Sequence, residues 1–330
     1  MQCDVVLRGA AITAVGEQAA AVEALGFAGV GVTETNGNPF LAAAQAAGAT
    51  STVRVSTAIA LAFPRTPMDV AYTAWDLQTL SGGRFALGLG TQVRAHVERR
   101  YGAVWSRPAA RMREYVLALH AIWDAWETGG PLTYEGEIYS HTLMPPNFRP
   151  APTAFPRPPV LLAAVRARMT EVAGEVADGF LGHAFCTADV LRDVTLPALE
   201  RGLERGGRAR ADVEVTASVF VAASDEDWEA NRRRVAFYGS TPGYRHVFDH
   251  HGLGSLFEAL HEQSRSGGWA TMPELIDDDV LALFVVRGSS PEEIADGVRA
   301  RVGEVADRVA LVAEAADPAA VAPIAAALRS

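Results

Sequence analysis

The chain has 330 residues, 49% of them hydrophobic, a net charge of −10, and 29 basic residues that are all arginine. Without lysine, Schiff-base catalysis, pyridoxal phosphate anchoring and Walker-type phosphate binding are excluded. The acidic balance argues against nucleic acid or an anionic membrane as partner, because a field of the same sign repels both. Cys3 and Cys186 form neither a disulfide framework nor a Cys-x-x-Cys pair. No basic leader followed by an apolar run opens the sequence, and no stretch of about 18 apolar residues occurs. These features lead us to expect a cytoplasmic protein that acts on small molecules.

Taken in chain order, short apolar runs at residues 3–7, 29–33, 53–61, 84–89, 160–164, 179–182, 213–222 and 308–313 predict eight strands. Amphipathic, alanine-rich segments lie between them. Such alternation implies a parallel sheet buried on both faces, and eight units suggest closure. A helix is expected from Pro67 through Val70, Ala71, Ala74, Trp75 and Leu77, ending where Ser81-Gly82-Gly83 offers a left-handed cap. The next shows an apolar stripe of Met112, Tyr115, Leu119, Ile122 and Trp126. Residues 127–159, rich in proline and glycine and carrying Tyr134, Tyr139, His141 and Phe148, read as an ordered insertion. Residues 224–303 exceed what one crossover needs and read as an enlarged helical layer, with helices over 225–238 and 291–302. The fold class is α/β, a (β/α)8 TIM barrel with insertions, in a single domain spanning 1–330.

In such a barrel the reactive groups sit where strands end at their C-termini. The candidates there are Glu34 to Asn38, Phe63 to Arg65, Gly90, Thr91, Gln92, Arg94, His96, Val165, Arg166, Arg168, His183, Phe185 and Cys186. Metal-dependent hydrolysis would need several histidine and carboxylate ligands. The first strand instead leads into Arg8-Gly9-Ala10, and His246, His250 and His251 beside Asp249 read as solvated residues of the helical layer. No metal site is expected. There is no Gly-x-Ser-x-Gly elbow for a nucleophile, and Glu34 is the one well-placed carboxylate. A site of this kind suits a flat cofactor that brings its own reactivity. Ala58, Ile59 and Ala60 are small enough to admit a ring to the backbone, and serve equally well as plain barrel core. The run from Val165 to Met169 passes from strand to helix, where free amide N–H groups with Arg166 and Arg168 suit a phosphate.

Longer motifs add a resemblance. Pro67-Met68-x-x-Ala71 followed by Leu80-Ser81-Gly82-Gly83-Arg84-Phe85-Ala86-Leu87-Gly88-Leu89-Gly90 resembles the signature of the luciferase-like flavin and deazaflavin oxidoreductases. Ala163-Ala164 and Ala173 to Phe180 resemble the segment linking the fifth and sixth strands of that superfamily. Blocks at residues 71–78, 111–116, 169–175 and 236–242 are similar to an actinobacterial subgroup assigned to coenzyme F420.

The resemblance implies a ring held at the C-terminal mouth on a bulge, often with a non-prolyl cis peptide, which falls here at Ala58-Ile59. It implies that Thr91, Gln92 and His96 line the ring and its side chain, and that Val165, Arg166, Arg168 and Met169 meet the phosphate with His183 close by. Glu34, His96 and His183 become the candidates for proton transfer, with a hydrogen-bonding wall as the other reading of each. The substrate walls are assigned to Phe63, Trp105 and His141. Two departures stand out: Thr35 replaces the histidine of related dehydrogenases, and Val165 and Arg166 replace glycines. The implied activity is F420-dependent hydride transfer with a small organic substrate, in a homodimer. The alternatives are an FMN-dependent monooxygenase and a flavin-binding protein without turnover.

Overall fold

The computed structural model describes residues 1–312 and 318–330. Strand β1 (Gln2–Leu7) runs into helix α1 (Val15–Ala24), β2 (Gly29–Val32) into α2 (Pro39–Ala49), and β3 (Arg54–Thr57) and β4 (Ala60–Leu61) precede α3 (Pro67–Leu80). After β5 (Phe85–Gly90) and α4 (Pro108–Thr128), an antiparallel hairpin of β6 (Tyr134–Glu135) and β7 (Ser140–His141) comes before β8 (Val160–Ala164). Then follow α5 (Ala167–Val176), β9 (Gly179–Gly182), α6 (Ala188–Val190), α7 (Leu196–Gly206) and β10 (Glu214–Ala222). Helices α8 (Asp225–Gly239), α9 (Arg245–His250), α10 (Gly254–Ser266) and α11 (Asp278–Phe284) lead to β11 (Val285–Arg287). Helix α12 (Pro291–Val302), β12 (Arg308–Val312) and α13 (Pro318–Arg329) follow.

Every pairing in the main sheet is parallel, and the order β1-β2-β3-β5-β8-β9-β10-β12 returns to β1, closing an eight-stranded barrel. The eight expected strands are these. The predicted run 53–61 is interrupted between β3 and β4, at Ala58 and Ile59, whose peptide bond is cis. The last predicted strand ends at Val312, and its final position, Ala313, lies outside the described residues. The enlarged layer at 224–303 is not purely helical: β11 extends the sheet along the end of β10. Three residues between two helices carry too short a pattern to be read as a strand.

Local chemistry accounts for the helix ends. Thr66 caps α3 by accepting from the Asp69 amide at 3.2 Å, Pro67 opens it, and Gly82 and Gly83 terminate it with φ of 67° and 84°. The α4 stripe is buried against the barrel throughout. Among the described residues no helix is long and apolar enough to cross a membrane.

The N-terminal end of the barrel is closed by charge. Arg308 of β12 grips Asp4 of β1, and Arg54 of β3 joins Asp4 at 3.2 Å and Glu214 of β10 at 2.5 Å. Because side chains alternate along a strand, the inward direction of Asp4 and Arg54 makes Val6, Ser56 and Ala58 inward as well. These three, with Ala163, Leu181 and Ser218, are only half-buried although they lie inside the barrel. A cup therefore opens downward from the C-terminal mouth.

Candidate active site

Beside the third strand of the cup, glycine admits a close approach of the 57–59 segment. A Cβ on Gly88 would lie 1.8 Å from the Thr57 carbonyl oxygen, one on Gly90 2.6 Å from Ile59 Cδ1, and one on Gly31 2.9 Å from Ala58 Cβ. The Gly-x-Gly of β5 thus makes room for the 58–59 segment. Ala58 and Ile59 are half-buried at this surface, whereas Ala60 is fully buried and belongs to the core.

Glu34 is buried under the rim, and its two oxygens meet four donors. Oε2 accepts from the Leu61 amide at 2.8 Å and Arg65 Nη1 at 2.9 Å; Oε1 accepts from Arg65 Nη2 at 3.0 Å and the Tyr101 hydroxyl at 2.9 Å. The bidentate fork is the strong form of this ion pair. It ties the ends of β2 and β4 to the turn at His96–Arg100. Burial, with Glu34 beside it, raises the pKa of the Tyr101 phenol. Sequence reasoning noted Arg65 only by position and missed Tyr101, which lies far away in the chain.

After β5, Thr91 and Gln92 are half-buried, and Gln92 adopts φ of 60°, a left-handed conformation that side chains resist. Its Oε1 accepts from the Val93 amide at 2.9 Å and its carbonyl from Thr91 Oγ1 at 3.0 Å. His96 is exposed, and its imidazole makes no hydrogen bond among the described residues.

Across the mouth, α5 starts directly after Arg166, without a side-chain cap. The first amides of an α-helix have no acceptor within it. Arg168 is exposed beside them, and Val165 and Met169 are half-buried. Arg166 is turned aside, its Nη2 donating to the Pro242 carbonyl at 2.7 Å and its Nε to that of Gly243 at 3.3 Å. Helix α5 is set closely on α7: a Cβ on Gly202 would lie 2.0 Å from the Glu171 carbonyl oxygen, and one on Gly174 2.3 Å from that of Leu199.

His183 follows β9 with its Nδ1 accepting from the Phe185 amide at 3.0 Å. That bond places the proton of the neutral ring on Nε2. Tyr238 and Tyr244 pack on the ring at 4.5 Å and 4.9 Å between centroids. Burial, then the charge of Arg8, pushes its pKa down to about 3. One cavity is bordered by His183, Val165, Phe185, Cys186, Ser218 and His246; Glu34, Gln92 and His96 do not border it. His246 is thus not a remote solvated residue: α9 folds back over the ends of β8 and β9, and burial followed by the Arg166 charge lowers its pKa. Periodicity cannot show such a return, so His246 was read as solvated, and Tyr238 and Tyr244 were missed.

Of the residues assigned to substrate walls, Phe63 and Trp105 meet edge to face at 5.7 Å. Arg111 lies over the Phe63 ring at 4.5 Å and donates to the Tyr139 hydroxyl at 2.8 Å, joining this wall to the hairpin. His141 stands on β7 opposite Tyr134, with its Nε2 buried and unpaired among the described residues.

A family model described as luciferase-like monooxygenase matches residues 2–308. The chain is 48% identical over 299 residues to an uncharacterized protein of Mycobacterium tuberculosis, covering 89% of this chain and 88% of that one. It is 30% identical over 177 residues to an F420-dependent glucose-6-phosphate dehydrogenase of Nakamurella multipartita, covering 53% of this chain and 49% of the other. A solved coenzyme F420 dependent tetrahydromethanopterin reductase from Methanopyrus kandleri superposes with a TM-score of 0.78 at 20% identity, covering 98% and 96% of the two chains. That likeness is one of fold.

Proposed function

The chain belongs to the luciferase-like monooxygenase family, and from that premise we propose that it is an F420-dependent oxidoreductase moving a hydride between the deazaflavin and a small organic substrate. The observation that carries the reading is the pairing, at one mouth, of the half-buried Ala58-Ile59 segment, held against β5 by Gly88 and Gly90, with an uncapped helix N-terminus beside Arg168. These features fit a cofactor with a planar ring and a phosphate. The likeness to an F420-dependent glucose-6-phosphate dehydrogenase supports the deazaflavin.

When bound, F420 supplies a two-electron hydride donor or acceptor. Ala58 and Ile59 would carry the ring, Thr91 and Gln92 its side chain, and Val165, Arg168, Met169 and the first amides of α5 its phosphate, with Arg166 held in reserve at the 242–243 carbonyls. We assign distinct roles to the three titratable groups. Glu34, engaged by four donors, is a positioning residue for the 58–61 segment. His183, with Nδ1 occupied, offers Nε2–H to a substrate oxygen and orients it. His96, with its imidazole open, exchanges the proton. Phe63 and Trp105 would wall the substrate and exclude water, with His141 on the hairpin beyond them.

The test is to titrate the pure protein with F420 and with FMN in parallel, following fluorescence quenching. Saturable F420 binding, tighter than that of FMN, is expected. Tight FMN binding without F420 binding would overturn the reading in favour of a flavin monooxygenase.

A further inference from the structure

Strand alternation that turns Asp4 and Val6 toward the barrel axis continues to Arg8, the first residue beyond β1, and so directs it over the cup. Arg8 is exposed and has no hydrogen bond or ion pair among the described residues. Arg168, exposed at the start of α5, is another mouth arginine without a partner among the described residues, and it lies beside the amides assigned to the phosphate. Arg65 pairs with Glu34 and Arg94 with Glu98, so neither of these two carboxylates is free to answer Arg8. Arg100 donates to the Thr35 carbonyl at 3.0 Å, and Arg166 to those of Pro242 and Gly243. The charge of Arg8 is felt by His183 and Tyr244, which reach the mouth from the opposite side. By this alternation an arginine fork without a counter-ion among the described residues stands at the rim of a cup whose inward positions include Val6, Ala58, Ala163 and Ser218, within electrostatic reach of His183.

We propose that Arg8 is a specificity-determining residue that docks the carboxylate of a small carboxylic acid substrate, leaving the rest of that molecule to fill the cup. The planar guanidinium matches a carboxylate in two parallel hydrogen bonds, and water exclusion at the mouth strengthens both. A neutral isostere of the acid would desolvate Arg8 without answering its charge, which is how such a site discriminates. This inference rests on the mouth being the substrate site of the proposed F420 enzyme.

Calorimetric titration of the wild type and Arg8→Gln with acetate, butyrate and benzoate, and with the corresponding amides, tests it, each in the presence and absence of saturating F420. The expected result is that an acid binds the wild type about tenfold or more tighter than its amide, that Arg8→Gln abolishes the preference, and that the variant keeps the wild-type Kd for F420. Equal binding of acids and amides, no binding of any acid, or a preference that survives in Arg8→Gln overturns it. A weakened F420 Kd in Arg8→Gln also overturns it, by giving Arg8 to the cofactor. If F420 fails to bind the wild type while the Arg8-dependent preference persists in the free protein, the cofactor reading falls and the carboxylate site stands.

Discussion

Glu34 and Arg65 show how one buried pair organises the mouth. Removing the cation would leave a buried carboxylate without its main partner, a change that destabilises proteins by about 3–5 kcal/mol. Arg65→Met should therefore lower the midpoint of urea unfolding sharply, while Glu34→Gln, which keeps an acceptor for the Leu61 amide, should lower it less. A similar loss from both would deny the pair its organising role. His183 makes a second prediction. Its folded pKa, about 3, lies below the ordinary histidine value, so the unfolded chain binds the proton first and stability falls as pH drops from about 6.5 toward 3. His120, pushed down to about 4 chiefly by burial, acts in the same direction. In urea titrations across pH 4–7, His183→Gln should flatten this slope, by at most about 1.4 kcal/mol per pH unit; an unchanged slope would show that the ring is not held neutral. Residue identities at strand ends were legible in the sequence because strand ends can be counted. Their partners were not: Tyr101 reaches Glu34 through a turn that no local pattern encodes, and Tyr244 reaches His183 from a 3-10 turn of the enlarged layer.

At the scale of elements, β5 and α5 set the site because each approaches a neighbour where only glycine fits. The two glycines of β5 differ in what they face. At Gly88 the obstacle is backbone, the Thr57 carbonyl, so Gly88→Ala must push β3 away from β5 and should cost about 3 kcal/mol or more. At Gly90 the obstacle is the end of the Ile59 side chain, which can turn. Gly90→Ala should unfold within about 1–2 kcal/mol of the wild type but bind F420 about tenfold more weakly, because Ile59 moves into the place of the ring. Equal thermal stability of the two variants would contradict this account of the signature. The eight strands were readable as short, continuously apolar runs, the mark of a sheet buried on both faces. Strand β11 was not, since its three residues continue directly from α11. The break at 58–59 was legible only through the family resemblance, because Ala-Ile-Ala is equally good barrel core.

For the whole molecule, the two ends of the barrel divide the work. Asp4, Arg54, Glu214 and Arg308 close the N-terminal end with a largely buried charge network, while the C-terminal end carries the Ala58-Ile59 segment, the helix N-terminus, and Arg8 and Arg168, both without a partner among the described residues. Conserving stability at one end lets the other hold a left-handed Gln92 and an Arg8 without a partner among the described residues. A net charge of −10 makes that local excess of cations notable, for arginine alone supplies every positive side chain in the chain. The central claim is that a planar, phosphate-bearing deazaflavin occupies the mouth. Its most direct test is the F420 Kd of four proteins measured side by side: wild type, Gly90→Ala, Arg168→Ala and Arg308→Met. Gly90→Ala and Arg168→Ala should each weaken binding by about tenfold. Arg308→Met, although it destabilises the fold, should leave the Kd unchanged. Wild-type affinity in both mouth variants, or a loss confined to Arg308→Met, would contradict it.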